Sequence, residues 1–213
     1  MTDTYFRLST RPGWIEVITG CMFSGKSEEL IRQIRRAELA RQKVKVFKPK
    51  IDNRYSKDEV ASHNNNKSPS IVIENPLEIL HHVDIYTQVV GIDEVQFFSD
   101  EILNVIHQLA EEGKRVIAAG LDTNWRGQPF GPMPQLLAQA EVINKQYAIC
   151  MVCGEPATRT QRLVTAEDNI LVGSQEAYEA RCRRHFDPEF SLRLKNKLHT
   201  STAVENSDLG LQL

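Results

Sequence analysis

The eight residues Gly20-Cys21-Met22-Phe23-Ser24-Gly25-Lys26-Ser27 constrain this chain more than any other stretch. They satisfy G-x-x-x-x-G-K-[ST] and follow an alternating, β-branched run, Trp14 to Thr19, that reads as a strand. A helical pattern over residues 27 to 41 follows, with Leu30, Ile34, Ala37 and Ala40 on one face and Glu28 and Glu29 at its positive end. Glycines let such a turn curl so that successive N–H groups point inward at oxyanions. The helix N-terminus adds partial positive charge. Lys26 is suited to neutralise β and γ phosphates, and the Ser27 hydroxyl to ligate Mg²⁺. The stretch therefore predicts a strand–turn–helix that cradles ATP. It leaves open where the phosphate goes.

The remaining pattern sets this unit in a sheet. Strands are predicted at Val44 to Phe47, Ile71 to Ile73, Val89 to Asp93 and Arg115 to Ala119, with a last one running through Ile149. Helices are predicted at Pro76 to His82, Asp100 to Glu112 and up to about Ala140. Alternation of this kind predicts an α/β fold, a parallel sheet with helices on both faces. Residues 53–70, with HNNNKSPS at their centre, read as a mobile loop or hairpin in which His63 is solvated surface. Residues 121–134, rich in glycine and proline, read as a shaped loop. The pattern changes near Cys150, which divides the chain into a core at 1–149, a small domain at 150–194 and a disordered tail at 195–213.

A phosphate cradle needs an acidic group at the end of a neighbouring buried strand. The run VVGIDEVQFF, residues 89–98, supplies two. Asp93 is placed to hold Mg²⁺, directly or through water. Glu94 is expected to point the opposite way, as strand neighbours do, and to accept a proton from an attacking hydroxyl or water.

Cys150-x-x-Cys153 and Cys182-x-x-His185 form two ligand pairs separated by 28 residues. Four such groups close a tetrahedron round Zn²⁺ with no open position, so the metal is expected to be structural. In a chain read as cytosolic, disulfides are not the expected use of these cysteines. No signal peptide or membrane span is legible in the sequence. A net charge of −2 lacks the basic excess of a general nucleic-acid binder, so Arg181, Arg183 and Arg184 are read as solvated or phosphate-facing. A second motor domain, which a helicase needs, does not fit in residues 150–213, and Asn144-Lys145-Gln146-Tyr147 lacks the aspartate of a guanine reader. A small kinase leads, with a zinc-stabilised ATP switch and a nucleic-acid-stimulated ATPase as alternatives.

The ordered set GCMFSGKSEEL, KPKIDNRY, IDEVQFF, GLDTNWRGQPFG, CMVCGEPA and YEARCRRHF resembles the type II (cytosolic) thymidine kinase family, from about Ile15 to Phe186. The resemblance implies a RecA-like P-loop core with a zinc-bearing lasso domain. It implies transfer of the ATP γ-phosphoryl group to the 5′-hydroxyl of thymidine or deoxyuridine, in a cytoplasmic homotetramer that engages neither nucleic acid nor membrane. It implies Glu94 as general base, with Lys26 and Arg54 in catalysis. Gly20, Cys21, Met22, Phe23, Ser24, Gly25, Lys26, Ser27, Asp52, Asp93, Glu94, Val95 and Gln96 would form the nucleotide and Mg²⁺ site. Met22, Phe97, Leu121, Trp125, Thr160, Leu171, Val172, Gly173 and Tyr178 would hold the nucleoside. Cys150, Cys153, Cys182 and His185 would hold zinc. Trp125 stands where the family usually has phenylalanine, and Cys21 where it often has proline; the latter position reads as conformational rather than as a reactive thiol.

Overall fold

The computed structural model describes residues 13–50, 59–61, 67–164, 177–191 and 193. The chain runs through β1 (Trp14–Thr19), α1 (Lys26–Leu39), β2 (Val44–Pro49), β3 (Glu59–Ala61), β4 (Lys67–Pro69) and β5 (Ile71–Ile73). It continues through α2 (Glu78–His82), β6 (Val89–Ile92), a 3-10 turn (Val95–Phe97), α3 (Glu101–Glu111), β7 (Arg115–Gly120), α4 (Met133–Gln139) and β8 (Val142–Lys145). Four short strands follow: β9 (Ala148–Ile149), β10 (Pro156–Ala157), β11 (Arg159–Arg162) and β12 (Tyr178–Arg181).

Six strands form one sheet in the order β5-β2-β6-β7-β1-β8, and every pairing in it is parallel. Strand neighbours send side chains to opposite faces. On one face Ile18, Val89, Ile117 and Ala119 pack against Leu30, Ile31, Ile34 and Ala37 of α1. On the other, Val17, Val90, Ile92, Val116 and Ala118 pack with Ile102, Val105, Ile106 and Leu109 of α3 and with Met133 and Leu136 of α4. Full burial of each valine, leucine, isoleucine or methionine among them contributes about 1.5–3 kcal/mol. Helices thus cover both faces, as the alternating pattern predicts.

The parallel register brings the strand ends to one edge. Thr19 lies opposite Gly120, and Ile92 opposite Ala118. Because β7 separates β1 from β6, the sheet has the RecA-like order. Its carboxyl edge receives the phosphate loop, the Asp93–Glu94 turn and the loop that starts at Leu121.

Two elements differ from the sequence reading. The last strand is broken rather than continuous to Ile149. β8 stops at Lys145, the Gln146 N–H donates to Thr19 O at 2.7 Å, and β9 then leaves to pair antiparallel with β10. The strand at Val89 stops at Ile92, so Asp93 and Glu94 lie beyond it. Within 53–70, the described part is an antiparallel pairing of β3 with β4; His63 lies outside the described residues.

Candidate active site

The phosphate loop joins β1 to α1, with Gly25 in a left-handed conformation, φ 84°, at the helix start. Lys26 is buried, and its Nζ donates to Cys21 O across the turn at 2.8 Å. That curl holds the ammonium over the loop. Among the described residues, nothing hydrogen-bonds the buried Ser24 Oγ. A buried hydroxyl without a protein partner fits a loop built for a polar ligand. Ser27 Oγ donates to Asp93 Oδ2 at 3.1 Å, and Asp93 Oδ1 accepts from the Glu94 N–H at 3.0 Å. A hydroxyl and a buried carboxylate side by side are hard oxygen donors of the kind Mg²⁺ takes with water.

Glu94 is the next residue and is also buried. Its backbone is left-handed, φ 49° and ψ 40°, which costs a non-glycine residue about 1–2 kcal/mol. This turn, rather than strand pleating, separates the two carboxylates, which corrects the expected reason for their divergence. Gln96 Nε2 donates to Glu94 Oε2, while Val95 is wholly buried in the core. The side chain of Gln96 therefore faces inward, toward Glu94.

Beside the loop, Met22, Trp125, Ala177 and Tyr178 form one buried cluster, with Phe23, Leu121 and Val164 packed against it. Thr160 Oγ1 accepts from the Met22 N–H at 3.0 Å. Phe97 lies outside this cluster; it packs edge-on against Phe130, with ring centroids 5.5 Å apart. Asp52, Arg54, Leu171, Val172 and Gly173 lie outside the described residues.

Two of the next three features had no signal in the sequence, and the third, Cys21, agrees with its reading as conformational. Arg162 is wholly buried, and its guanidinium lies 5.0 Å from the Trp125 ring centroid; that of Arg126 lies at 4.6 Å. Such contacts hold the indole ring in place. Lys145 Nζ pairs with Asp122 Oδ2 at 2.7 Å, fastening the start of the 121–131 loop to β8. Cys21 is buried, and its Sγ donates to Ala157 O at 3.3 Å. Burial pushes the Cys21 thiol up, so it is a packing and tethering group rather than a nucleophile.

The four predicted zinc ligands come together, with their ligand atoms all within 4.8 Å of one another. A tetrahedron with Zn–S of about 2.3 Å and Zn–N of about 2.0 Å has S···S edges of about 3.8 Å and S···N edges of about 3.5 Å. Cys153 Sγ and Cys182 Sγ are 3.8 Å apart, too far for a disulfide. His185 Nδ1 lies 3.3 Å from Cys182 Sγ and 3.7 Å from Cys150 Sγ. The donor set and its spacing fit Zn²⁺. At Cys150, burial raises the thiol, but backbone donors from Cys182, Val152 and Cys153 and the His185 ring outweigh it and bring it down to about 6. A thiolate is the form a metal binds.

The parallel sheet, phosphate loop and buried acid define a P-loop α/β protein. The family model described as thymidine kinase matches residues 13–186, and the chain belongs to that family. Among solved structures, the chain is similar to the genome packaging NTPase B204 from Sulfolobus turreted icosahedral virus 2, in its complexes with ATP-gammaS and with sulfate. Identity is 19% in both, over 66% of this chain and 76% of that chain, with TM-scores of 0.42 and 0.41. No helix among the described residues is long and apolar enough to cross a membrane.

Proposed function

We propose that the chain transfers the γ-phosphoryl group of ATP to the 5′-hydroxyl of thymidine, and of deoxyuridine, giving the nucleoside monophosphate and ADP. One observation carries this reading. The phosphate loop that presents Lys26 and Ser27 also packs its Met22 with Trp125 and Tyr178. Phosphate donor and a flat apolar acceptor thus share one turn. Aromatic faces suit a planar base, and a pliable methionine suits the methyl group that marks thymine.

In this reading the 5′-oxygen forms a bond to the γ-phosphorus as the bond from that phosphorus to the β–γ bridging oxygen breaks. The hydroxyl proton goes to Glu94. Lys26 and Arg54 would offset charge on the phosphoryl oxygens, with Asp52 as a further group of the nucleotide site. Ser27 and Asp93 would hold Mg²⁺, which supplies charge neutralisation when bound. Thr160 and backbone groups of Leu171, Val172 and Gly173 would orient the nucleoside, with Phe97 and Leu121 at its rim. Zinc held by Cys150, Cys153, Cys182 and His185 would stabilise a small domain at 150–194. A cytoplasmic homotetramer completes the reading, and the exposed Ile143, Tyr147, Ile149 and Met151 suit burial against another copy.

The test is ATP consumption with thymidine, deoxycytidine, DNA or no acceptor. Thymidine-dependent turnover is the expected result, whereas turnover stimulated by DNA alone refutes the reading. Glu94→Gln should still bind both substrates while kcat falls about 100-fold or more. An unchanged kcat removes Glu94 as the base.

A further inference from the structure

We propose that Gln96 is a positioning residue that aligns the Glu94 carboxylate with the nucleoside loop, rather than a contact to the nucleotide. This rests on Glu94 being the base. Gln96 is 2% exposed, and both ends of its amide are used. Nε2 donates to Glu94 Oε2, and Oε1 accepts from the Leu121 N–H at 3.0 Å. Leu121 N–H can only donate, so it fixes which way the amide faces and leaves the NH₂ group for the carboxylate. The bridge joins the turn after β6 to the turn after β7, and the second of these carries Leu121 and Trp125.

The surrounding backbone is shaped to the bridge. A Cβ at Gly120 would meet Gln96 Oε1 at 2.6 Å, and one at Gly131 would meet Gln96 O at 2.4 Å. The loop from Leu121 to Phe130 therefore starts and ends against the same glutamine. One end of the bridge holds Oε2 of Glu94, which is already turned by its left-handed backbone. The other holds the first residue of the loop against which the nucleoside would lie. A shift of either partner is felt by the other through a rigid planar amide. Such an arrangement supplies alignment of acceptor and base, which a near-attack geometry requires.

A double-mutant cycle tests this, read as kcat and as KM for ATP and thymidine. Gln96→Met keeps the volume and removes both hydrogen bonds; Gln96→Glu keeps an acceptor for Leu121 N–H but replaces the amide donor with a carboxyl that can share a proton with Glu94, so its kcat is read as a pH profile, in which the Glu94 limb should shift upward. A hydrogen bond to a charged group of this kind corresponds to a loss of about 10- to 100-fold. The expected result is that loss in kcat for each variant, with KM for ATP within about twofold of the parent. In a Glu94→Gln background, neither change should lower kcat further, because the group being aligned is gone. Two results overturn the inference while leaving Glu94 as the base: parental kcat in both variants, or the same fold-loss in both backgrounds. If Glu94→Gln alone keeps full kcat, the base assignment fails first and is seen to fail separately. Should Gln96→Met not fold, Gln96→Leu, which also removes both hydrogen bonds, carries the cycle.

Discussion

Replacing Gly131 with alanine should damage stability and turnover together. A Cβ built there lies 2.4 Å from Gln96 O, about 1 Å inside ordinary van der Waals contact, and the atom it meets is backbone that cannot swing aside. The residue also has φ +50°, where an L side chain costs about 1–2 kcal/mol. Overpacking adds about 1–3 kcal/mol, for a total of about 2–5 kcal/mol. Gly154 separates the two contributions. Its φ is +74°, but nothing lies within 4 Å of a Cβ built there. Gly154→Ala should therefore cost only the conformational part, about 1–2 kcal/mol. For a chain of this size each kcal/mol moves Tm by about 2–4 °C. Thermal melting should show Gly131→Ala lower by about 4–20 °C and Gly154→Ala by about 2–8 °C. In the surviving folded fraction, Gly131→Ala should also lower kcat, since the push falls on Gln96 and through it on Glu94. Equal Tm shifts for the two variants would show that crowding at Gln96 O is not what requires glycine at 131.

Metal analysis should find about one zinc per chain, and Cys182→Ser should reduce it, since a closed four-ligand site loses a quarter of its donors. Cys150 falls from its ordinary 9.0 to about 6. Cys153 beside it is pushed the opposite way by the neighbouring thiols of Cys150 and Cys182, so protons compete with a metal at this cluster. Zinc release to a chromogenic chelator should accordingly rise as pH falls, and release that is flat from pH 8 to 5 would contradict the thiolate assignment. Trp125→Ala should raise KM for thymidine about tenfold or more while leaving KM for ATP near parental, as expected when a base loses a stacking partner. Unchanged thymidine KM would remove Trp125 from the pocket.

The legible parts of this molecule are those specified by neighbours in sequence. Parallel strands buried on both faces read as apolar runs, and VVGI and RVIAAG were recognisable as such. A phosphate loop and paired metal ligands must be local, because a turn of fixed length builds them. Arg159–Arg162 carried no such sign. Arg-Thr-Gln-Arg has no apolar alternation, yet Thr160, Gln161 and Arg162 are all buried. Their burial depends on partners far along the chain: Gln161 Nε2 donates to Asp187 O at 2.9 Å, and Arg162 faces Trp125. The Gln96 bridge was hidden for the same reason, since an amide shared with a residue 25 positions away has no period. The break between β8 and β9 follows from the end of β1 at Thr19: past the Gln146–Thr19 rung no partner strand remains, and β9 pairs with β10 instead, a change of partner that no propensity encodes.

The tethers at Cys21 and Met22 bear on how the protein opens. Two successive residues of the phosphate loop are fastened to β10 and β11, one through Cys21 Sγ to Ala157 O and one through the Met22 N–H to Thr160 Oγ1. The small sheets next to the zinc ligands are thus stitched to the cradle at its root. Amide protons on either side of the stitch should exchange with deuterium in step, as a single cooperative unit rather than as a core and a loosely hung flap. Substrate would then enter through strands and loops elsewhere on the rim, while the seam between cradle and knuckle stays shut.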